Sequence, residues 1–149
     1  TQNNLGNAYQ NLAILEAGEM NLKLAIQAYQ SALLYYTPDT DCVAFAMAQC
    51  NLGNAYRKLA DFETPRQNLE CAVQALQVAL QHQTPEKTPL DYAKTRGNLG
   101  LVYKDLGMIN KAIACWREAE HSYREIGYID VANGVQWWID EALKNGDGE

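Results

Sequence analysis

The chain has 149 residues, 48% hydrophobic and 20% charged, enough to bury a continuous core as one domain and too apolar for a disordered tail. Its 12 basic and 18 acidic residues give a formal net charge of -6, which excludes a general nucleic-acid binder built on a broad basic surface. No run approaches the roughly 20 apolar residues of a membrane span, and four cysteines without a CxxC pair point to reduced thiols in a cytoplasmic setting rather than a disulfide framework or a zinc site.

In chain order, the first predicted element runs to about residue 16 around Asn4-Leu5-Gly6-Asn7-Ala8-Tyr9. A second, at about 19–36, follows Gly18 and carries Ala25-x3-Tyr29-x2-Ala32. The third, about 39–60, repeats the first hexapeptide identically as Asn51-Leu52-Gly53-Asn54-Ala55-Tyr56, at an offset of 51 - 4 = 47 residues. The fourth, about 65–83, carries Ala72-x3-Leu76-x2-Ala79. The fifth, about 88–106, returns to the first pattern as Asn98-Leu99-Gly100-Leu101-Val102-Tyr103, again 98 - 51 = 47 residues on. A sixth, about 108–126, follows Gly107 with Ala112-x3-Trp116-x2-Ala119, and a seventh, about 128–144, half-continues the pattern with Asn133, Gly134 and Trp137 before stopping at Asn145-Gly146.

Every element reads as a helix. Leu52, Ala55, Tyr56 and Leu59 recur at i, i+3, i+4 and i+7, one helical face. Thr64-Pro65 and Thr88-Pro89 place a capping hydroxyl before a proline suited to a first turn. Thr37-Pro38 and Thr84-Pro85 close second helices, because the residue before proline is pushed out of the helical region. Gly6, Gly53 and Gly100 let paired helices approach closely, the tyrosines Tyr9, Tyr56 and Tyr103 fill the adjacent space, and Leu5, Ala8, Tyr9 and Leu12 are expected to pack inward. One such pair cannot bury its own apolar face, so pairs stack.

Leu-Gly-x2-Tyr followed by Ala-x3-aromatic-x2-Ala, with a closing proline, resembles the tetratricopeptide repeat over nearly the whole chain. The resemblance implies an all-α fold: a right-handed α-α superhelix, or solenoid, of three helix pairs plus a C-terminal capping helix. It divides a single 1–149 domain into repeats at about 1–38, 39–85 and 86–127 and a cap at about 128–145. The third repeat keeps the family spacing, Tyr103 to Ala112, whereas Tyr9 to Ala25 and Tyr56 to Ala72 are seven residues longer. Gln2, Gln49 and Arg96 stand where the family often has tryptophan. The long units are similar to extended repeats of large bacterial, notably cyanobacterial, signalling proteins. Thr1 lies only three residues before Asn4, against eleven from Thr40 to Asn51, so the sequence reads as a piece of a longer protein with an open N-terminal end. A short first helix in a processed protein is the alternative.

The resemblance also implies the function: an interaction module that holds a partner protein or an extended peptide in a concave groove. The stripe lining that groove is Asn4, Asn7 and Asn11 in the first repeat, Met47, Asn51, Asn54 and Lys58 in the second, and Lys94, Asn98, Leu101 and Asp105 in the third. Asparagine both donates and accepts, which suits it to peptide backbone. Arg57, Lys58, Lys94 and Lys104 bias the stripe towards an acidic ligand. Asn7, Asn51 and Lys94 match three places of the family's clamp for a chaperone tail, but Asn3 and Asn98 replace its lysine and arginine, which argues against that ligand. A merely solvated face kept by duplication is the competing reading of the asparagines.

Other features carry less. Cys50 lies on or near the groove face, His82 and His121 lack ligand spacing, and no histidine or serine stands in a triad-like setting, so neither an enzyme, the remote alternative, nor a cofactor or metal is expected. Trp137 is expected in the core; Trp138, which points another way on the helix, is left open between a core position and an exposed anchor for a partner or a neighbouring domain. The open end is expected to expose apolar surface near Leu5, Leu12, Ile26 and Leu33 and to support self-association, the structural alternative to peptide binding.

Overall fold

The computed structural model describes residues 1–12 and 18–146. Among the described residues there are seven helices and no strand: α1 Gln2–Leu12, α2 Gly18–Ala32, α3 Cys42–Leu59, α4 Pro65–Leu80, α5 Pro89–Asp105, α6 Ile109–Glu125 and α7 Ile129–Gly146. The predicted end of the first helix near residue 16 lies outside the described residues. The chain divides into two compact units, Thr1–His82 and Gln83–Glu149.

The largest difference from the predicted bounds falls at 33–41. The second helix stops at Ala32 and the third starts at Cys42, because the intervening chain forms a turn of its own. Thr37 N–H donates to Thr40 Oγ1 at 2.8 Å and Thr40 N–H to Thr37 Oγ1 at 3.2 Å. Asp41 then caps α3, its carboxylate accepting from Ala44 N–H at 2.9 Å. A related turn stands 84 - 37 = 47 residues on, where Lys87 N–H donates to Thr84 Oγ1 at 3.2 Å.

In the N-terminal unit α1 packs on α2, α2 on α3 and α3 on α4. Leu22, Ala25, Ile26 and Tyr29 of α2 meet Leu52, Ala55 and Leu59 of α3 in one core cluster. The open end is only partly as expected. Leu5 and Leu12 are 43% and 48% exposed and Ala8 is exposed too, whereas Ile26 is buried at 7% and Leu33 half-buried. The inward packing expected of Leu5, Ala8 and Leu12 is therefore corrected: α1 covers α2 with its glycine face and presents the leucine face to solvent. The same positions in α3, Leu52, Ala55 and Leu59, are 7%, 0% and 4% exposed because α2 lies over them.

In the C-terminal unit α5 packs on α6 and α6 on α7. Trp116 of α6 is 1% exposed, its indole N–H donating to the Gly97 carbonyl at 3.3 Å. Two like stops reverse the chain. Gly107 has φ +76° and Gly127 φ +84°, and Met108 N–H reaches the Tyr103 carbonyl at 2.8 Å as Tyr128 N–H reaches that of Tyr123 at 2.8 Å. These are Schellman closures, which need a left-handed residue and so favour glycine.

The two sequence signatures meet in space. A Cβ on Gly6 would lie 2.5 Å from the Tyr29 ring, and one on Gly53 2.7 Å from Leu76 Cγ. Gly100 repeats the relation with Trp116. The space beside each glycine is thus filled by the large residue of the second signature, while Tyr9 and Tyr56 pack against the core cluster and Tyr103 is buried. Gly134 does not follow the rule, since a Cβ there would meet nothing within 4 Å. The threonines before proline also differ from expectation. Neither Thr64 nor Thr88 makes a side-chain cap; Thr64, at φ 35°, instead accepts from buried Asn68 Nδ2 at 3.1 Å.

Candidate functional site

Each unit places part of the predicted stripe. In the N-terminal unit α1 and α3 run beside one another, and their amides are largely occupied with each other. Asn7 Oδ1 accepts from the Tyr29 hydroxyl at 2.6 Å. Asn51 Nδ2 donates to Asn3 Oδ1 at 3.3 Å, while its backbone carbonyl accepts from Gln10 Nε2 at 3.3 Å. Lys58 Nζ donates to Gln10 Oε1 at 3.1 Å. Burial, aided by Arg57, holds the Lys58 ammonium below the ordinary lysine range. Asn54 and Arg57 are half-buried, and Asn4 and Asn11 are exposed on the open side of α1. Cys50 is half-buried, and the cysteines are free thiols.

In the C-terminal unit the stripe opens onto clefts. Lys94, Gly97 and Asn98 of α5 face Val131, Val135 and Trp138 of α7 across a cleft of about 300 Å³. Leu101 and Lys104 of α5 face Trp137, Trp138 and Glu141 of α7 across a second of about 690 Å³. Trp138 is the wall common to both. Its ring is held by Trp116, with centroids 5.7 Å apart. The helical rise explains the alignment: 94, 98, 101 and 104 follow one another at four, three and three residues, a single stripe of α5. Lys94 and Lys104 are exposed and have no carboxylate partner among the described residues.

The tryptophans reverse the sequence expectation for one of the pair. Trp137 is 60% exposed rather than in the core, and Trp138 is 36% exposed. Ala132, Val135 and Ile139 point into α6, and on a helix of 3.6 residues per turn the direction that buries 135 and 139 leaves 137 outside. The second cleft wall could not be read from sequence, since it requires knowing which side of α7 faces α5.

Beyond the clefts, Arg96 lies over the Tyr92 ring at 5.3 Å and pairs with Glu118 at 2.9 Å. The Tyr92 hydroxyl also donates to Glu118 at 2.5 Å, a compact link between α5 and α6. Burial pushes the Cys115 thiol up, against the pull of nearby Arg96. His82 packs edge-on to Phe45 with centroids 5.3 Å apart. Among the described residues no group of His, Cys, Asp and Glu is placed to hold a metal ion, and no helix is long and apolar enough to cross a membrane.

Residues 93–120, from α5 through the Gly107 turn into α6, match the family model of the tetratricopeptide repeat. The helix pair α5–α6 is the unit so matched. Among solved structures, that of MamA protein is similar at 20% identity, covering 94% of this chain and 87% of that chain, with a TM-score of 0.33. No curated protein matches. The matched repeat supports a protein-interaction module in general terms.

Proposed function

We propose that the chain binds an extended, acidic peptide segment of a partner protein, and that the α5–α7 groove of the C-terminal unit is the principal site. The observation that carries this reading is the pair of exposed lysines, Lys94 and Lys104, at the two ends of a stripe that faces Trp138 through clefts on either side. Trp138 offers a rigid apolar surface already fixed by Trp116, so little side-chain freedom is lost on binding. The lysines, in a chain of net charge -6, supply the attraction that selects carboxylates. Asn98 lies between them and lines the smaller cleft. In the N-terminal unit Asn7 and Asn51 already serve neighbouring groups, so Asn54 and the two cations Arg57 and Lys58 are the secondary contacts of this reading.

A peptide-display selection on the immobilised full chain tests it. Enrichment of Asp and Glu next to an apolar residue is expected, with binding lost in Lys94→Glu/Lys104→Glu and weakened in Trp138→Ala. Selected peptides without acidic enrichment, or indifferent to all three substitutions, would overturn it.

A second reading, self-association through the N-terminal end, is favoured by the solvent-facing Leu5, Ala8 and Leu12 of α1.

A further inference from the structure

We infer that the smaller cleft of the C-terminal unit is a pocket for one apolar side chain of the bound peptide, that Gly97 sets its depth, and that a carboxylate two residues along the same peptide meets Lys94. The inference rests on the acidic-peptide reading above and gives that peptide a sequence pattern.

Gly97 stands outside the repeat pattern. Gly6, Gly53 and Gly100 each lie against a large side chain of the paired helix, whereas a Cβ on Gly97 would meet nothing within 4 Å. Its equivalents one and two repeats back, 97 - 47 = 50 and 50 - 47 = 3, are Cys50 and Asn3, so duplication did not supply this glycine. Gly134, also unhindered, does follow the duplicated pattern. The Trp116 indole bonds the Gly97 carbonyl, a group that any residue offers. Gly97 nevertheless sits at the midpoint of α5, Pro89–Asp105, where glycine weakens a helix relative to alanine. No contact within the chain requires that loss. What the missing side chain leaves is the floor of the cleft.

The walls and the rim define the occupant. Tyr123 of α6 and Val131, Val135 and Trp138 of α7 enclose a space of about 300 Å³, at the low end for ligand clefts and suited to one side chain rather than a whole small molecule. Apolar walls favour an apolar guest, which leaves water on entering. Lys94 is the cation on the rim, exposed in a chain of net charge -6, and it selects a carboxylate nearby. It precedes Gly97 by three residues, about 4.5 Å along the helix axis. In an extended peptide, adjacent side chains point to opposite sides, and those two apart point the same way about 6.6 Å from one another. An apolar residue seated over Gly97 therefore brings the residue two positions away, not its immediate neighbour, beside the long Lys94 side chain.

Display selection of random dodecapeptides on the immobilised full chain, as wild type, Gly97→Ala and Gly97→Leu, with urea unfolding of each, tests the inference. The wild-type pool is expected to carry an apolar residue two positions from Asp or Glu. Gly97→Ala is expected to shift that apolar position to smaller residues. Gly97→Leu is expected to keep the acidic enrichment, to lose the fixed apolar position, and to bind a synthetic peptide from the wild-type pool at least about tenfold more weakly. Both variants are expected to unfold at a urea midpoint no lower than that of the wild type, since the site is open and both residues form helix better than glycine; weaker binding is then not lost folding. Equal binding to Gly97→Leu, acidic peptides without the apolar position, or a lowered midpoint for Gly97→Ala would each overturn the pocket. The acidic-peptide reading survives any of these if Lys94→Glu/Lys104→Glu still abolishes binding. A wild-type pool without acidic enrichment overturns the reading and the inference together.

Discussion

Gly100 lies so close beneath the Trp116 indole that any side chain on it would overlap the ring. Trp116 has no room to retreat, being 1% exposed and tied to the Gly97 carbonyl. Gly100→Ala is expected to destabilise the C-terminal unit by about 1 to 3 kcal/mol, the range for overpacking a closed core. Gly134→Ala is the control. Its Cβ meets nothing, so removing backbone freedom there is expected to stabilise α7 by roughly 0.5 to 1 kcal/mol. Urea titration of both variants checks the opposite signs.

The Gly107 turn makes a separate prediction about backbone rather than packing. At φ +76°, with open space where a Cβ would go, substitution costs only the strain of the left-handed conformation. Gly107→Ala is expected to lose about 1 to 2 kcal/mol, and Gly107→Asn less, because asparagine tolerates this region better. Equal losses in the two variants by thermal unfolding would contradict the backbone account.

Tyr29 links stability to alkaline pH. Burial pushes its phenol above the ordinary tyrosine range, and its hydroxyl donates to Asn7. In the unfolded chain the phenol ionises near pH 10, while in the folded chain it keeps its proton. The stability it contributes is thus fully present below about pH 10 and declines as pH rises further. Tyr29→Phe is expected to lower stability at neutral pH by about 0.5 to 1.5 kcal/mol through the lost hydrogen bond, and to flatten the decline above pH 10. A decline of unchanged steepness, followed by denaturant midpoints across pH, would argue that another group is responsible.

For the groove, charge and apolar contact are separable. Affinity for a selected acidic peptide is expected to fall as salt rises, since exposed charges are screened within about 8 to 10 Å at ordinary ionic strength. In Lys94→Glu/Lys104→Glu that salt dependence disappears or reverses. In Trp138→Ala affinity falls by more than about 1 kcal/mol with the salt slope retained. Calorimetry at several salt concentrations distinguishes the two behaviours.

Much of this arrangement was legible in the sequence because duplication prints itself there. Gly6, Gly53 and Gly100 mark the close approaches, and the residue four after the alanine in each second helix, Tyr29, Leu76 or Trp116, is the one that fills them. What the sequence did not convey was which neighbour each face would meet. Leu5 and Leu52 stand in identical hexapeptides, yet one is exposed and the other buried, because only α3 has a preceding helix to lie on among the described residues. Likewise Trp137 and Trp138 differ by one residue and a rotation of about 100°, which no local pattern could orient before the α6 contact was known. The stripe residues Asn7 and Asn51 read as open amides in sequence; their bonds to Tyr29 and Asn3 depend on a helix pairing that spacing alone does not describe.

All three tryptophans lie in α6 and α7, which makes the molecule optically lopsided. Indole emission excited at the red edge reports on the C-terminal unit alone, while the N-terminal unit, with tyrosines only, stays dark at that wavelength. Within the visible half, Trp116 is sealed from quencher and Trp137 is open to it, so iodide or acrylamide sorts their contributions. A ligand settling on Trp138 would therefore announce itself in native fluorescence, whereas an event on α1 would pass unseen unless a probe were placed there.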